Sequence, residues 1–179
     1  MHNLFEKKEP ITKVIDKIAV SEPAKLQAML AQWNSDRNTA FVFWFEDSLR
    51  QAKSFFACQT IEPVALLNIK EAGTKQLDGK KPVFAEHYPL RSSEEYFYKK
   101  LRIKVLTIFS CLNEPLIKLT GAGKIIKAFN RMGIIGSEII QHRMISEAIR
   151  NTQERIEKMV LIDASAPSQK EWLEKNYTY

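Results

Sequence analysis

The fold of this chain is decided by residues 121–160, which read GAGKIIKAFNRMGIIGSEIIQHRMISEAIRNTQERIEKMV. Apolar residues recur there at helical spacing, and charged residues fill the positions between them. The pattern predicts two helices with a break at residues 133–137, because glycines end the first helix and Ser137 caps the second. The apolar stripe of the second helix is predicted to be Ile140, Met144, Ile145, Ala148, Ile149, Thr152, Ile156 and Met159.

The composition is typical of one soluble domain. Of the 179 residues, 45% are hydrophobic, which is enough for a core, and 27% are charged. No apolar run approaches the roughly 18 residues of a membrane span, and the N-terminus has no apolar signal core. We therefore expect a cytoplasmic protein. Cys58 and Cys111 show no metal-binding spacing and are predicted to be buried free thiols, with a disulfide or a reactive cysteine as the alternatives.

The positive charge is concentrated in the second half of the chain. The net charge is +6, and the segment from Lys118 to Arg155 contributes +4 through seven Lys/Arg and three Asp/Glu. A solvated helix face is the simplest interpretation, and contact with an acidic partner or with acidic lipid through these basic helices is the alternative. A nucleic-acid partner is not expected, because no RNA-recognition signature or zinc knuckle accompanies the charge.

Upstream, predicted strands alternate with predicted helices. Residues 1–9 are expected to be loosely attached, and residues 11–18 fit a short amphipathic helix through Ile11, Val14, Ile15 and Ile18. A better helix opens at Ser21-Glu22-Pro23 and ends near Asp36. Later helices are predicted to be capped by Asp47 or Ser48 and by a Ser92/Glu95 capping box, the latter helix burying Tyr96, Phe97 and Leu101. Continuous apolar runs predict buried strands at 40–45, 63–69, 82–88 and 103–110.

Such alternation predicts a three-layer α/β/α domain with a mostly parallel sheet of about four or five strands. We assign this domain to residues 1–163, including a helix at 137–160. Residues 164–168 read as a linker, and the tail to Tyr179 carries Trp172, Leu173 and Tyr177, which suit docking on its own domain or on a neighbour.

Few residues suggest chemistry. The TGAGK sequence at 120–124 resembles half a phosphate loop, but positions 118 and 125 are Lys and Ile, so a helix-breaking turn is predicted. Glu86 and His87 end a predicted strand, where open α/β sheets bind ligands. Arg91 and Arg102 are expected to flank the same sheet edge and are candidates to hold an anion, although a plain surface position is the favoured interpretation of each. No metal set, catalytic set or cofactor site is predicted, and structural roles are favoured for His87 and His142.

The second half of the chain contains a set of residues at fixed spacing, without gaps from Lys124 to Glu157: Met132-Gly133, Glu138-Ile139-Ile140-Gln141-His142, Met144, Ile149, Gln153 and Glu157. In these residues the chain resembles SecA, the ATPase motor of bacterial protein export. A weaker resemblance covers residues 41–56 and VFAEHYPLRSSEE at 83–95. It implies the second motor domain of a helicase-like, P-loop NTPase-type protein, followed by the start of the scaffold helix.

The parts of that family that act on ATP are missing. The resemblance implies an arginine-rich glycine turn after Tyr98, but residues 99–104 read KKLRIK, with Arg102 as a lone candidate. The phosphate loop and magnesium carboxylates are also missing, so we expect no ATP hydrolysis by this chain alone. The leading hypothesis is a non-catalytic, SecA-like module that serves as a protein-binding or accessory domain related to preprotein translocation, with either the export motor or an unrelated protein as its partner. The alternative is a domain that binds a nucleotide or small anion near Glu86, His87 and Arg91.

Overall fold

A computed structural model describes residues 12–57, 65–73, 75–131 and 138–177. Within these ranges the chain forms six strands and seven helices. In chain order they are β1 (Lys13–Ala19), α1 (Glu22–Ser35), β2 (Thr39–Phe43), α2 (Glu46–Phe56), β3 (Leu66–Asn68), β4 (Lys81–Phe84), α3 (Arg91–Lys100), β5 (Val105–Cys111), α4 (Pro115–Thr120), α5 (Ala122–Arg131), β6 (Ile139–Ile140), α6 (Arg143–Glu157) and α7 (Gln169–Asn176). None of the described helices is both long and apolar enough to cross a bilayer.

The strands form one sheet in the order β3-β2-β4-β5-β1-β6. Strands β1 to β5 pair in parallel, and β6 pairs with β1 in the antiparallel direction. Helices cover both faces, because a parallel sheet needs crossover connections that bury each face. The predicted three-layer α/β/α fold is confirmed, with six strands in place of the predicted four or five.

The two faces of the sheet carry separate apolar clusters. Successive residues of a strand alternate between faces, so in β2 Phe41 and Phe43 pack with α1 and α2, whereas Val42 packs with α3, α6 and α7. A third cluster joins β1 and β6 to α4, α5 and α6. All five residues of β2 are buried, as the unbroken apolar run predicted.

The predicted helix at 11–18 is wrong. Val14, Ile15 and Ile18 lie in β1, which pairs with β5 over seven positions from Lys13↔Val105 to Ala19↔Cys111. Short apolar patterns fit a helix and a strand equally well, and here the β-branched residues and the long pairing partner favour the strand. Ile11 and residues 1–9 lie outside the described part of the chain.

The C-terminal stretch is also arranged differently from the prediction. Its main helix begins only at Arg143, because Ile139 and Ile140 form β6 beside Ala19 and Ile18. The predicted break at 133–137 and its Ser137 cap lie outside the described residues. Part of the predicted stripe is correct, since Ile145, Ile149, Thr152 and Ile156 are buried and Ala148 is half-buried. Met144 and Met159, however, are each 51% exposed.

Helix caps were predicted with mixed success. Ser21 caps α1 by accepting a hydrogen bond from the Ala24 amide. The predicted Asp47 or Ser48 cap of α2 and the Ser92/Glu95 box of α3 are wrong, because α2 begins at Glu46 and α3 at Arg91, both without a side-chain cap. Ser48 and Ser92 donate instead to carboxylates elsewhere in the fold. Of the aromatic residues of α3, Tyr98 is buried and Phe97 packs partly buried against the same cluster, as predicted for Phe97, whereas Tyr96 is 63% exposed.

The turn at 120–124 is confirmed as a helix break. Gly121 ends α4 in the left-handed conformation, with φ +72°, and α5 begins at the next residue. Cys111 is a buried free thiol, as predicted, and Cys58 lies outside the described residues. The C-terminal tail docks on its own domain, where Trp172, Leu173 and Tyr177 join the cluster beneath α3 and α6. The division of the chain after residue 163 stays a prediction.

Candidate functional site

The carboxyl ends of β1, β2, β4 and β5 meet at one end of the sheet, here called the carboxyl edge (residues 20–22, 44–46, 85–88 and 112–114). In open α/β proteins this edge is where ligands bind. It also has a switch point here. The chain leaves β2 toward α2 on one face and leaves β4 toward α3 on the other, so the crevice between these two strands is the expected binding position.

A buried lysine neutralises one side of the carboxyl edge. Lys25 of α1 is 3% exposed, and its Nζ lies 2.8 Å from Glu114 Oε1 and 3.0 Å from Glu22 Oε1. It also donates to the Ala85 carbonyl oxygen at 3.2 Å. Burial favours the neutral amine, but the carboxylates of Glu114 and Glu22 outweigh it and raise the pKa of Lys25 above its ordinary value. The group is therefore a buried, fully paired ammonium.

A set of metal-type ligands surrounds this lysine. One oxygen each of Glu22 and Glu114 and the sulfur of Cys111 lie within 4.8 Å of one another. The Lys25 ammonium supplies positive charge at this place. Burial, followed by the Glu114 carboxylate, raises the pKa of Cys111 to about 12, so the thiol is protonated at neutral pH and is a poor metal ligand. We call these four residues the Lys25 cluster and interpret it as a structural ion-pair cluster.

Glu86 occupies the crevice between β2 and β4. Its Oε1 accepts hydrogen bonds from the amides of Trp44 and Phe45 at 3.1 and 3.0 Å, and its Oε2 contacts Ser48 Oγ at 2.6 Å. The carboxyl group thus takes the position of an anion at the start of α2. Burial, against the opposing attraction of Lys25, raises the pKa of Glu86 to about 7.

The His87 side chain lies on the opposite side of the sheet from that of Glu86, and it contacts one carboxylate in β1 and one in α3. Its Nε2 lies 2.9 Å from Asp16 Oδ1 in β1, and its Nδ1 lies 3.0 Å from Glu94 Oε1 in α3. Burial disfavours the charged ring, but the Glu94 carboxylate and the Asp16 hydrogen bond outweigh this and raise the pKa of His87 well above its ordinary value. Both ring nitrogens therefore donate, and an imidazolium links the two carboxylates.

The pKa of Asp16, one of the two carboxylates that His87 contacts, shifts in the opposite direction. Burial alone raises the pKa of Asp16, but the hydrogen bond and charge of His87 outweigh it and lower the pKa below its ordinary value. Glu94 also accepts a hydrogen bond from the Tyr88 amide at 2.7 Å. The Asp16–His87–Glu94 triad is thus a closed arrangement in which each group satisfies its neighbour.

A cleft lies beside this triad, between α3 and α6. Its volume is about 380 Å³, and we call it the α3–α6 cleft. His87 and Arg91 both line it, and Arg91 is held by Glu95 at 2.7 Å and by Glu154. The full lining is Thr12, Val14, Asp16, His87, Arg91, Glu94, Glu95, Tyr98, Lys99, Ser146, Ile149, Arg150 and Gln153.

The C-terminal segment closes the carboxyl edge from outside. The Asp47 amide at the start of α2 donates to the Pro167 carbonyl oxygen at 3.0 Å, and the Leu116 amide at the start of α4 donates to Gln169 Oε1 at 2.8 Å. Gln169 in turn donates from Nε2 to the His87 carbonyl oxygen at 2.9 Å. The chain's own C-terminal residues therefore use amides that an anionic ligand would need.

The four candidate residues do not form one site. Glu86 and His87 are neighbours in sequence but contact opposite faces of the sheet. Arg91 lies beside His87 in the cleft. The expectation that Arg91 and Arg102 flank the same edge is wrong, because Arg102 precedes β5 and lines a different pocket with Lys81 and Lys104. His142 is the cap of α6, where its Nδ1 accepts from the Met144 amide.

Four buried charged residues of the site were not predicted, namely Asp16, Lys25, Glu94 and Glu114. Lys25 left a signal, since it stands beside the apolar stripe of its helix, next to Leu26 and one turn from Met29. Asp16 lies within residues 11–18, whose pattern predicted a short amphipathic helix. The partners of Glu94 and Glu114 come from distant parts of the chain, so local patterns did not reveal them.

Comparison with known proteins finds a short match. No family model matches the chain. A segment of 47 residues is 40% identical to the protein translocase subunit SecA of Christiangramia forsetii, which is 26% of this chain and 4% of that protein. The chain thus corresponds to a small fraction of the length of that relative. About a quarter of the chain, within a three-layer α/β/α fold, is therefore similar in sequence to a small part of SecA.

Proposed function

We propose that this chain is a non-catalytic, SecA-like module that binds another protein in an accessory role related to preprotein translocation. The SecA-related segment supports the relationship to translocation. The state of the carboxyl edge supports the absence of catalysis, and an exposed apolar segment supports protein binding.

The occupied carboxyl edge is the observation that carries this proposal. Glu86 binds the amides before α2, the Lys25 ammonium is paired with two carboxylates, and Gln169 accepts from the first amide of α4. A triphosphate bound here would have to displace buried hydrogen bonds and leave buried charges without partners. That displacement costs several kcal/mol by order of magnitude, because desolvated charges are stable only when paired.

The partner surface is proposed to follow α6. Met159, Leu161 and Ile162 are 51%, 96% and 76% exposed, and they stand within four residues of one another. Adjacent large apolar side chains in water favour association with a partner, since their burial contributes about 25 cal/mol per Å² of apolar surface. We call residues 159–162 the apolar segment.

Two measurements test this proposal together. The purified chain is expected to release no phosphate from ATP above a no-protein control. Binding to purified SecA from the same organism is measured by chemical cross-linking. This binding is expected to weaken in the double variant L161D/I162D. The control variant M144D/Y96D places the same two charges on other exposed apolar residues, which are 51% and 63% exposed, and should bind normally.

Two outcomes would contradict the proposal. One is steady ATP turnover by the purified chain. The other is equal binding, or equal absence of binding, by the wild type and L161D/I162D, because the apolar segment then contributes nothing to recognition.

A small-anion site is the second candidate, and the α3–α6 cleft is the observation that favours it. Two of the candidate residues, His87 and Arg91, line this cleft, whose volume of about 380 Å³ lies within the range of small-molecule sites. Glu86 is buried on the other side of the sheet and is not part of the lining. Thermal unfolding in the presence of phosphate, ATP, ADP and GTP tests this candidate, since a ligand of the folded state raises the midpoint temperature.

A further inference from the structure

The end of the sheet opposite the carboxyl edge carries a basic pocket. It lies where the chain enters β4 and β5, its volume is about 480 Å³, and we call it the amino-edge pocket. Four of its lining residues are cationic, namely Lys80, Lys81, Arg102 and Lys104, and none of the described lining residues is acidic. Like charges brought together repel, so the pocket is stabilised by any anion that enters it.

Most of this charge is not neutralised by the protein. Lys81 forms an ion pair with Asp36 at 2.7 Å. For the side chains of Lys80, Arg102 and Lys104, the described part of the chain offers neither an ion pair nor a hydrogen bond. Three of the four cations are therefore available to a ligand. The contrast with the α3–α6 cleft is clear, since Asp16, Glu94 and Glu95 of that cleft neutralise its histidine and one of its arginines.

The backbone places Arg102 at the pocket in an unusual conformation. Arg102 has φ +54°, and among the described residues it is the one non-glycine with positive φ. Its amide donates to the Lys99 carbonyl oxygen and the Ile103 amide donates to the Tyr98 carbonyl oxygen, which is the pattern that ends a helix at a left-handed residue. Glycine is favoured at such a position, and a side chain there costs about 1 kcal/mol. The arginine is thus held where the backbone disfavours it.

The wall of the pocket also contains an unpartnered polar group. Thr39, at the start of β2, is 0% exposed and lines the pocket. Its hydroxyl oxygen has no hydrogen-bond partner within the described part of the chain. Buried hydroxyl groups are nearly always hydrogen-bonded, so this one is a donor without an acceptor. Because this hydroxyl is fully covered, it lies behind the wall of the pocket and is not counted among the groups that contact the ligand.

We propose that the amino-edge pocket binds a small phosphate-bearing ligand. Lys80, Arg102 and Lys104 neutralise its charge. Lysine and arginine are the side chains that bind phosphate groups most strongly, since charge-assisted hydrogen bonds are about twice as strong as neutral ones. Two adjacent phosphates carry more negative charge than one, so a ligand that has both is expected to bind the three cations more tightly than a single phosphate does.

Calorimetric titration with inorganic pyrophosphate tests the proposal on the full chain. Wild type is expected to bind pyrophosphate more tightly than orthophosphate. The variant K80Q/R102Q/K104Q is expected to lose at least about tenfold in affinity, because three charge-assisted contacts are removed. The charge-matched control K118Q/K124Q/R131Q removes the same three charges from α4 and α5 and should change affinity less than about twofold.

The source of the phosphate is distinguished by a second arm. Vesicles containing phosphatidylglycerol are sedimented with each variant. If wild type and the control variant sediment with the vesicles and K80Q/R102Q/K104Q does not, the ligand is a lipid headgroup. If wild type binds pyrophosphate tightly but does not sediment with the vesicles, the ligand is soluble. Either result supports the site.

The proposal is overturned if wild type binds neither pyrophosphate nor vesicles, or if the control variant weakens binding as much as the pocket variant does. In the second case general surface charge, and not the pocket, holds the anion. Thermal unfolding of both variants shows whether each is folded. Should K80Q/R102Q/K104Q fail to fold, the single variants K80Q and K104Q test the pocket, and each is expected to weaken pyrophosphate binding several-fold by removing one charge-assisted contact.

Discussion

The two ends of the sheet differ in how they treat charge. At the carboxyl edge, buried charges find partners inside the chain, as Lys25 does with Glu22 and Glu114 and His87 does with Asp16 and Glu94. At the amino edge, Lys80, Arg102 and Lys104 face solvent without such partners among the described residues. At the carboxyl edge, where ligands usually bind in this fold, the buried charges are thus neutralised within the chain. The amino edge carries positive charges that have no acidic partner among the described residues. The comparison teaches that strand direction alone does not tell where such a domain binds anions.

Removing Lys25 should have the largest effect. In Lys25→Met, two carboxylates lose the ammonium that neutralises them in a buried site, and breaking a buried ion pair from one side costs about 3–5 kcal/mol. We expect a loss of that size in the free energy of unfolding, measured by urea denaturation. The matched control is Lys81→Met, because the Lys81–Asp36 pair has a lysine side chain that is 75% exposed. That variant should lose less than about 1 kcal/mol, and equal losses would show that the carboxyl edge is not specially paired.

The second prediction uses the pH dependence of stability. The pKa of Glu86 rises from 4.5 to about 7 on folding, so the folded state binds more protons than the unfolded state in that window. Stability contributed by Glu86 is therefore present at low pH and is lost as pH rises from 4.5 to about 7. Each unit of pKa difference corresponds to about 1.4 kcal/mol.

Glu86→Gln removes this proton and keeps an oxygen for the two amides. Its unfolding free energy should fall less steeply than that of wild type between pH 4.5 and 7, and at pH 8 it should match or exceed wild type. Burial also raises the pKa of Glu114 above 4.5, so Glu114 titrates in the same direction, and its contribution is present in both proteins that are compared. His87 contributes stability that is lost as pH rises above 6.5, and Asp16 contributes stability that is lost as pH falls below 3.8. Parallel profiles for Glu86→Gln and wild type would show that Glu86 is not buried as described.

The third prediction concerns the segment that covers the carboxyl edge. Gln169→Ala leaves the Leu116 amide without its acceptor and the His87 carbonyl oxygen without that donor, at a cost of about 1–3 kcal/mol per buried group. Gln169→Glu keeps the acceptor but places a buried carboxylate against the His87 carbonyl oxygen, so at neutral pH it should also be less stable than wild type. Lys170→Ala is the control, since that side chain is 74% exposed. A neutral Gln169→Ala would mean that the C-terminal segment does not seal this edge.

The sequence predicted the layers of the fold better than its site. Long apolar runs such as the one at 40–45 identify buried strands, because burial on both faces leaves a local pattern. The short pattern at 11–18 was assigned to a helix, because its position in the sheet depends on pairing with β5, about 90 residues away. The same reason hid the ion pairs, since Asp16 and His87 are 71 residues apart in the chain.

Among the candidate site residues, the sequence correctly indicated that Glu86 and His87 follow a strand at the carboxyl edge. It did not show that their side chains go to opposite faces, although strand alternation predicts this for neighbours. The position of Arg102 was missed for a simpler reason. A helix of unknown length lies between Arg91 and Arg102, and only its observed ten residues place the two arginines at opposite ends of the sheet.

The smallest expected effect concerns Arg102 at the amino edge. Arg102→Gly replaces a strained left-handed arginine by the residue that this conformation favours, so the free energy of unfolding should rise by about 0.5–1 kcal/mol. Arg102→Gln removes the charge and keeps the backbone cost. The difference between the two variants therefore measures the strain at φ +54°, and the difference between wild type and Arg102→Gln measures charge repulsion in the pocket. If both variants are less stable than wild type in phosphate-free buffer, the arginine stabilises the folded chain by itself, and the amino edge is as self-satisfied as the carboxyl edge.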